Sequence, residues 1–406
     1  MCAFNYKGFY VETAEKHKQR GASKSKAYEL AALSLAMALT LLTPMKVLAS
    51  SPEFARSEDE WNRLQDDVLE YEEIPDLIQE YNSTVQSNQY EYQKFLKEYG
   101  RTREDIAKAY RDMADDLEAG MTGEDGVAMI SDFQLRQQAD QLREQADDNI
   151  EDSRIMYLTY CKAEASLAMS AQSYFISYYR KQLELLTAQE DRNQLAKNLE
   201  LAKVQRQAGV LTDAEVLAVQ EKVMTQEKTV TAVEQQIENT RQKLIVMCGW
   251  NSTDQPELTD APMPDMPELD AIDLDADRQA AIGNNYTVRI NRQKLENSLN
   301  ADQKASIQRT VDGNVRQAGV SLTGAWQSLQ SARRSYEQAV SDAAASERDL
   351  ALAGAKYSAG MITAYDYETA RSDFTEKQYA IRSIELDLLE ALEVYRWNVN
   401  GMASAE

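Results

Sequence analysis

Histidine and cysteine chemistry has few residues to work with in this chain. The 406-residue sequence holds one histidine, His17, and three cysteines, Cys2, Cys161 and Cys248. His17 and Cys2 fall in the first 49 residues, read below as a removable leader. Without histidine there is no Ser-His or Cys-His pair, no imidazole base and hardly a donor set for zinc. Cys161 and Cys248 sit in YLTYCKAEA and IVMCGW, with no CxxC and no metal-ligand spacing. Two buried, inert thiols are the first reading, and a disulfide is the alternative. No catalytic residue, metal site or cofactor motif emerges, so an enzyme is not expected. What remains is carboxylate. The net charge is −23, and removing residues 1–49 (seven basic, three acidic) leaves about −27. No basic stripe survives to neutralise phosphates, which argues against nucleic acid. The acidic surface favours cations and basic partners.

The elements that must carry these groups are long helices. Glycine (15) and proline (7) are scarce for this length, so turns are few. The polar residues are rich in Gln, Glu, Lys and Arg, good helix formers. Residues 1–49 read as a secretory signal peptide. Lys7, Lys16, Lys18, Arg20, Lys24 and Lys26 precede the apolar run LAALSLAMALTLL, and Val47 and Ala49 occupy the small positions of a cleavage site. The run is too short to span a bilayer comfortably, and an uncleaved anchor is the alternative.

The chain repeats itself. LELAKVQRQAGVLTDAEVLAVQEKV, from Leu199, aligns without gaps with LALAGAKYSAGMITAYDYETARSDF, from Leu350, at an offset of about 151 residues. Beyond each glycine the apolar residues recur in alternating steps of three and four. One copy runs from Val216 through Val219, Val223, Gln226 and Val230 to Met247, the other from Tyr367 through Ala370, Phe374, Lys377 and Ile381 to Tyr395. Both registers match, down to the polar residue at Gln226 or Lys377, which faces a lumen, specifies register or simply interrupts the seam. The helix entering the second tip carries a comparable seam from Val311 through Ala318, Leu322 and Leu329 to Ala343. In copy one a helix of about 50 residues, roughly 75 Å, is expected from near Asp152 to Gln207. Gly209 and Gly360 end the incoming helices. Thr212 or Asp213, and Thr363, cap the outgoing ones. The fold class is all-α: two repeated antiparallel helical hairpins packed as a coiled-coil bundle. The expected organisation is a first repeat over 50–250, an acidic, proline-containing linker with little regular structure over 251–276, and a second repeat over 277–406. A short helix is expected near Asp277–Ile282, breaking at Gly283–Asn285. Residues 54–151 read as helices with loops near Gly100 and Gly120–Gly126, and their counterpart bends near Val311–Asn314.

These residues resemble the TolC family of outer-membrane efflux proteins. Family members carry the same duplication, with a tip of the form Gly-x-x-x-x-x-Asp-Val in each copy. Here the tips read GVLTDAEV and GMITAYDY. IPDLIQEYNSTVQSNQ, from Ile74, resembles the family's early Asn-Pro-Glu helix start with Ile in place of Asn. The resemblance implies a homotrimer closing a twelve-helix α-barrel. It implies docking of the tips onto a membrane fusion (periplasmic adaptor) protein, and through it an inner-membrane transporter such as an ABC pump. The docking residues would be Ala208, Gly209, Val210, Leu211 and Thr212 with Ala359, Gly360, Met361, Ile362 and Thr363. Glu215 and Asp366 match the family's tip aspartates, and Tyr357 a tyrosine of its closed-state network, so these three are aperture candidates. The bland alternative is a first-turn acid favoured by the helix dipole.

The chain also departs from the family. Its tip arginine is replaced by Ile362 and a second acidic ring is lost at Thr369. The strands that build the outer-membrane barrel should fall near Gly120–Gly126 and Val311–Asn314, where no lipid-facing alternation occurs. The expectation is an exported, strandless conduit of the cell envelope, in an efflux or type I secretion-like system, that does not span an outer membrane. The rival is an exported coiled-coil structural protein without a lumen. A membrane fusion protein would need lipoyl-like and β-barrel segments, which are not found.

Overall fold

Why the long helices stop where they do is visible in the backbone. In the computed structural model, residues 55–121, 127–264 and 266–405 are described. The signal-peptide segment 1–49 lies outside them. Among the described residues twelve α-helices dominate: α1 Glu58–Leu64, α2 Ile74–Tyr81, α3 Ser83–Tyr99, α4 Arg103–Ala119, α5 Val127–Asp148, α6 Ser153–Gln207, α7 Asp213–Met247, α8 Met266–Asp270, α9 Leu274–Asn284, α10 Tyr286–Asn297, α11 Ala301–Ser358 and α12 Ala364–Trp397. Two two-residue strands, β1 (Val68–Leu69) and β2 (Glu257–Leu258), pair in parallel. Positive-φ glycines follow the longest helices: Gly209 after α6, Gly249 after α7, Gly360 after α11 and Gly401 after α12. Among the described residues no helix is long and apolar enough to cross a membrane.

The described residues form two compact units. The first contains Ser87–Cys161 and Ile290–Arg309. Within it α4 and α5 pair antiparallel. Ala107, Ala114, Ala139 and Ala146 are buried, and side chains this small let two backbones approach closely. Arg143 bridges to Asp115 and Glu118, and Arg111 to Asp147, at 2.8–2.9 Å for the Asp partners. A buried polar knot closes the unit: Asp152 caps α6 by accepting from the Ile155 amide (2.9 Å) and also accepts from Gln293 and Asn297. Arg103–Ala119 and Val127–Asp148 are helix, without a strand, and most of the loop expected at Gly120–Gly126 lies outside the described residues.

The second unit contains 55–86, Lys162–Arg289 and Thr310–Glu406. Here α7 meets α6, α6 meets α12, and α12 meets α11. Gln226 on α7 donates to the Ala188 carbonyl of α6 (3.1 Å), so this seam interruption is a register contact between helices; Lys377 is exposed. Arg180 on α6 holds Asp387 and Glu390 on α12, both at 2.7 Å. Leu322 and Leu329 on α11 pack with Leu388 and Leu392 on α12 in one core cluster. A second cluster centres on Phe175 and Ile176 of α6, Leu244 of α7, and Leu69, Ile74 and Ile78 of the N-terminal segment. Cys161 and Cys248 are buried and unbridged.

Three sequence expectations need correction. The chain does not bend at Val311–Asn314: α11 runs through it, and the break falls at Ser298–Asn300, where Asn300 accepts from the Asp302 amide (2.9 Å). Gly313 costs the helix about 1 kcal/mol, but Val311, Asn314 and Ala318 are buried along the seam around it and offset that cost. The 251–276 stretch is more ordered than its composition suggests. It holds β2 and α8, with Ala261 and Leu269 buried. The helix expected near Asp277–Ile282 starts earlier, at Leu274, because Asp273 caps it by accepting from the Asp275 and Ala276 amides, and it extends to Asn284.

Burial pushes the Glu73 carboxyl up to about 7, against one hydrogen bond from the Glu70 amide that favours the charged form. The unfolded chain therefore releases this proton at lower pH than the folded one. Stability should fall as pH rises from about 4.5 to 7. Glu73→Gln, which keeps the acceptor, should remove roughly 1–2 kcal/mol of that slope. Urea midpoints of both chains across this range would check it; parallel curves would disprove it.

Candidate functional site

Both hairpin tips are built by one formula. At the first, the Ala208 amide donates to the Val204 carbonyl (3.0 Å), Gly209 to Arg206 (2.9 Å) and Val210 to Gln205 (2.8 Å). At the second, Ala359 donates to Ala355 (3.1 Å), Gly360 to Tyr357 (2.9 Å) and Met361 to Lys356 (2.8 Å). The glycines take φ of +75° and +72°. This is the closing turn of a helix whose last carbonyls are satisfied by amides just past a left-handed residue. A capping box then starts each outgoing helix. The Thr212 hydroxyl accepts from the Glu215 amide while the Glu215 carboxylate accepts from the Thr212 amide (2.8 Å); Thr363 and Asp366 repeat this, at 3.0 Å for the amide. The residues from Ala208 to Thr212 and from Ala359 to Thr363 thus form two equivalent turns.

The tips are open. Val210 is 69% and Met361 76% exposed, while Leu211 and Ile362 are half-buried. A Cβ added at Gly209 or Gly360 would meet nothing within 4 Å. Two apolar side chains thus stand in solvent beside glycines that leave room for another backbone.

Of the aperture candidates, Glu215 and Asp366 are exposed, and each uses one oxygen for its capping threonine. The hydrogen bonds from Thr212 and Thr363 hold both carboxyls below the usual range, so they stay charged to lower pH. Tyr357 stacks on Tyr367 with centroids 5.3 Å apart and planes 7° from parallel. In the first copy the position equivalent to Tyr357 is Arg206, which forms an ion pair with Asp213 across the turn. The same place in each repeat is therefore clasped by different means, an ion pair in one and an aromatic stack in the other.

Sequence reasoning missed a third feature. Near the tips α6 and α12 are tied side to side: Tyr365 donates to Asn198 (2.5 Å), Lys197 pairs with Glu368 (3.2 Å) and Gln194 donates to Thr369 (3.1 Å). The only signal was that polar residues on these two helices lie at complementary positions when the hairpins run antiparallel. Thr369, where the family's second acid is missing, is thus engaged between hairpins. Among the described residues no group of three His, Cys, Asp or Glu could hold a metal ion.

No family model matches the sequence, and no curated protein does either. Solved structures do. A membrane protein from Pseudomonas aeruginosa superposes with a TM-score of 0.52 over 90% of this chain and 97% of its own, at 13% identity. The outer-membrane channel OprN (0.49; 89% and 97%; 14% identity) and the Campylobacter jejuni CmeC outer membrane channel (0.46; 91% and 95%; 10% identity) are also similar. Two capped hairpins repeated in one chain, nearly all helix among the described residues, and matched along almost the full length of this Pseudomonas aeruginosa membrane protein, give this chain the same helical fold.

Proposed function

We propose that the chain is an exported conduit component of an efflux or type I secretion-like system. In this reading it trimerises into a twelve-helix barrel and docks by its two tips onto a membrane fusion protein that links it to an inner-membrane pump. Substrates would pass unchanged, and the protein would stand outside the cytoplasmic membrane without spanning an outer membrane. The observation that supports this best is the pair of equivalent, exposed tips at Gly209 and Gly360, each presenting an apolar side chain next to an open glycine. Glu215 and Asp366, three copies of each in a trimer, would ring the entrance with negative charge and attract cations. Tyr357, clasped to Tyr367, would hold that entrance narrow.

The test is Gly209→Asp combined with Gly360→Asp. Asp tolerates the left-handed conformation better than most residues, and nothing crowds either site, so the fold should survive. Export and co-purification of the cognate adaptor should drop by at least about tenfold, the loss of one good contact. Unchanged export and adaptor capture would refute tip docking. Light scattering on residues 50–406 reads the assembly: three times the chain mass supports the conduit, and a monomer or dimer with tolerant tips favours the structural coiled coil.

A further inference from the structure

Between α6 and α12, beside the turn at Tyr71–Glu73, the second unit has a cleft of about 390 Å³. That volume lies in the range of small-molecule sites. Its walls include the rings of Tyr71, Tyr174 and Trp397, the carboxylates of Glu390 and Glu393, and the amide of Gln172.

The lining states what chemistry would fit. Tyr71 is 6% exposed, yet its hydroxyl is buried without a hydrogen-bond partner. Buried polar groups are nearly always bonded, so an orphan at the edge of a cleft marks a place where a ligand atom would be welcome. The charges that act on this hydroxyl are those of Glu393, Arg396 and Glu390, so it lies near the charged wall of the cleft. That wall carries more acid than base. Glu390 and Glu393 line it and no basic side chain does; outside the lining each pairs with a guanidinium, Arg180 and Arg396, that also holds a second carboxylate, Asp387 and Glu268. Burial raises the Glu393 carboxyl, a cost that an added cation would relieve. The aromatic faces act in the same direction, since a ring face attracts a cation. Trp397 is held in place by its indole N–H, which donates to Gln172 (2.7 Å). One such pairing is already made, with the Lys243 ammonium 5.8 Å from the Tyr174 ring centre.

We propose that this cleft binds an organic ammonium ion carrying an apolar group, its charge set between Glu390, Glu393 and the Trp397 face and an N–H given to the Tyr71 oxygen. An anion of the same size would face the acid excess and be refused. The site stands on its own geometry and does not depend on the conduit reading.

The experiment is calorimetry on the full mature chain at low salt, with benzylammonium, benzyltrimethylammonium and benzenesulfonate as probes. Both cations should bind saturably and the sulfonate should not. Glu390→Gln with Glu393→Gln should weaken both cations by at least about tenfold. Tyr71→Phe, which removes one oxygen and keeps the ring, should weaken benzylammonium alone, because the quaternary ion has no N–H to donate. Should the double carboxylate variant fail to fold once Arg180 and Arg396 lose partners, Tyr71→Phe still decides. The proposal is overturned if neither cation binds at millimolar concentration, if the sulfonate binds as well as the cations, or if Tyr71→Phe leaves the two cations in their wild-type ratio.

Discussion

Gly249→Ala and Gly401→Ala should each lower stability by about 3–5 kcal/mol, combining backbone strain with overpacking. The same change at Gly209 or Gly360 should cost only about 1–2 kcal/mol, the ordinary penalty for a left-handed residue with a side chain. All four glycines have positive φ, so conformation alone would rank them together. Their surroundings separate them. A Cβ on Gly249 would sit 2.3 Å from the Tyr81 Cβ and 3.3 Å from the Tyr81 carbonyl oxygen. On Gly401 it would lie 2.6 Å from the backbone oxygen of Asn284. Neither neighbour is the far end of a flexible side chain, so backbone must move. At the tips the added atom enters open space. Urea denaturation of the four alanine variants measures this, and equal losses at all four positions would show that the close approaches do not matter. The physical division is clear: glycines at the ends of α7 and α12 serve packing, whereas those at the tips serve the turn and leave its surface free.

Phe175→Ala should cost about 3–5 kcal/mol, the range for truncating a buried aromatic. Phe175 is fully buried on α6, with Tyr71 edge-on at 5.3 Å and Tyr179 at 5.2 Å. It supports more than its own contacts. Tyr179 donates to the carbonyls of Leu258 (3.1 Å) and Thr259 (2.5 Å), fastening the segment around β2 to the long helix. β2 in turn pairs with β1, where the Glu257 amide donates to Asp67 (2.8 Å) and the Thr259 amide to Leu69 (3.1 Å). Removing the ring should let Tyr179 drift, so exchange of the Glu257 and Thr259 amides should speed up more than that of amides in α7. Hydrogen exchange followed by mass spectrometry would show it. A uniform rise across the second unit would instead mean that Phe175 contributes only bulk burial.

The helices and tips were legible in the residue order because their causes are local. Steps of three and four put Val230, Val233 and Leu244 on one face, and all three are buried. A glycine followed three residues later by threonine, then by an acid three further on, dictates a closing turn and a capping box, and both copies form them. The near absence of histidine and of metal-ligand spacing was equally plain. Other features depend on residues distant in the chain. A periodic seam says that a partner exists without naming it, so the succession α7, α6, α12, α11 had to come from pairs such as Arg180 with Asp387 and Ser372 with Glu190. VDGN read as a bend because glycine and aspartate are poor helix formers, yet burial of Val311 and Asn314 outweighs that local preference. The linker read as irregular because its prolines and acids lack periodicity, and two β1 residues supplied the template that ordered part of it. The cleft beside Tyr71 left no pattern at all in the sequence, since its walls come from three separate segments. The sequence by itself determined the long hairpin helices, their apolar faces and their ends at the two tips, which follow from 3.6-residue periodicity and capping within a few residues. Only the tertiary structure decided which faces meet, which glycines are crowded and where a cleft opens, because those follow from packing between residues that the chain keeps far apart.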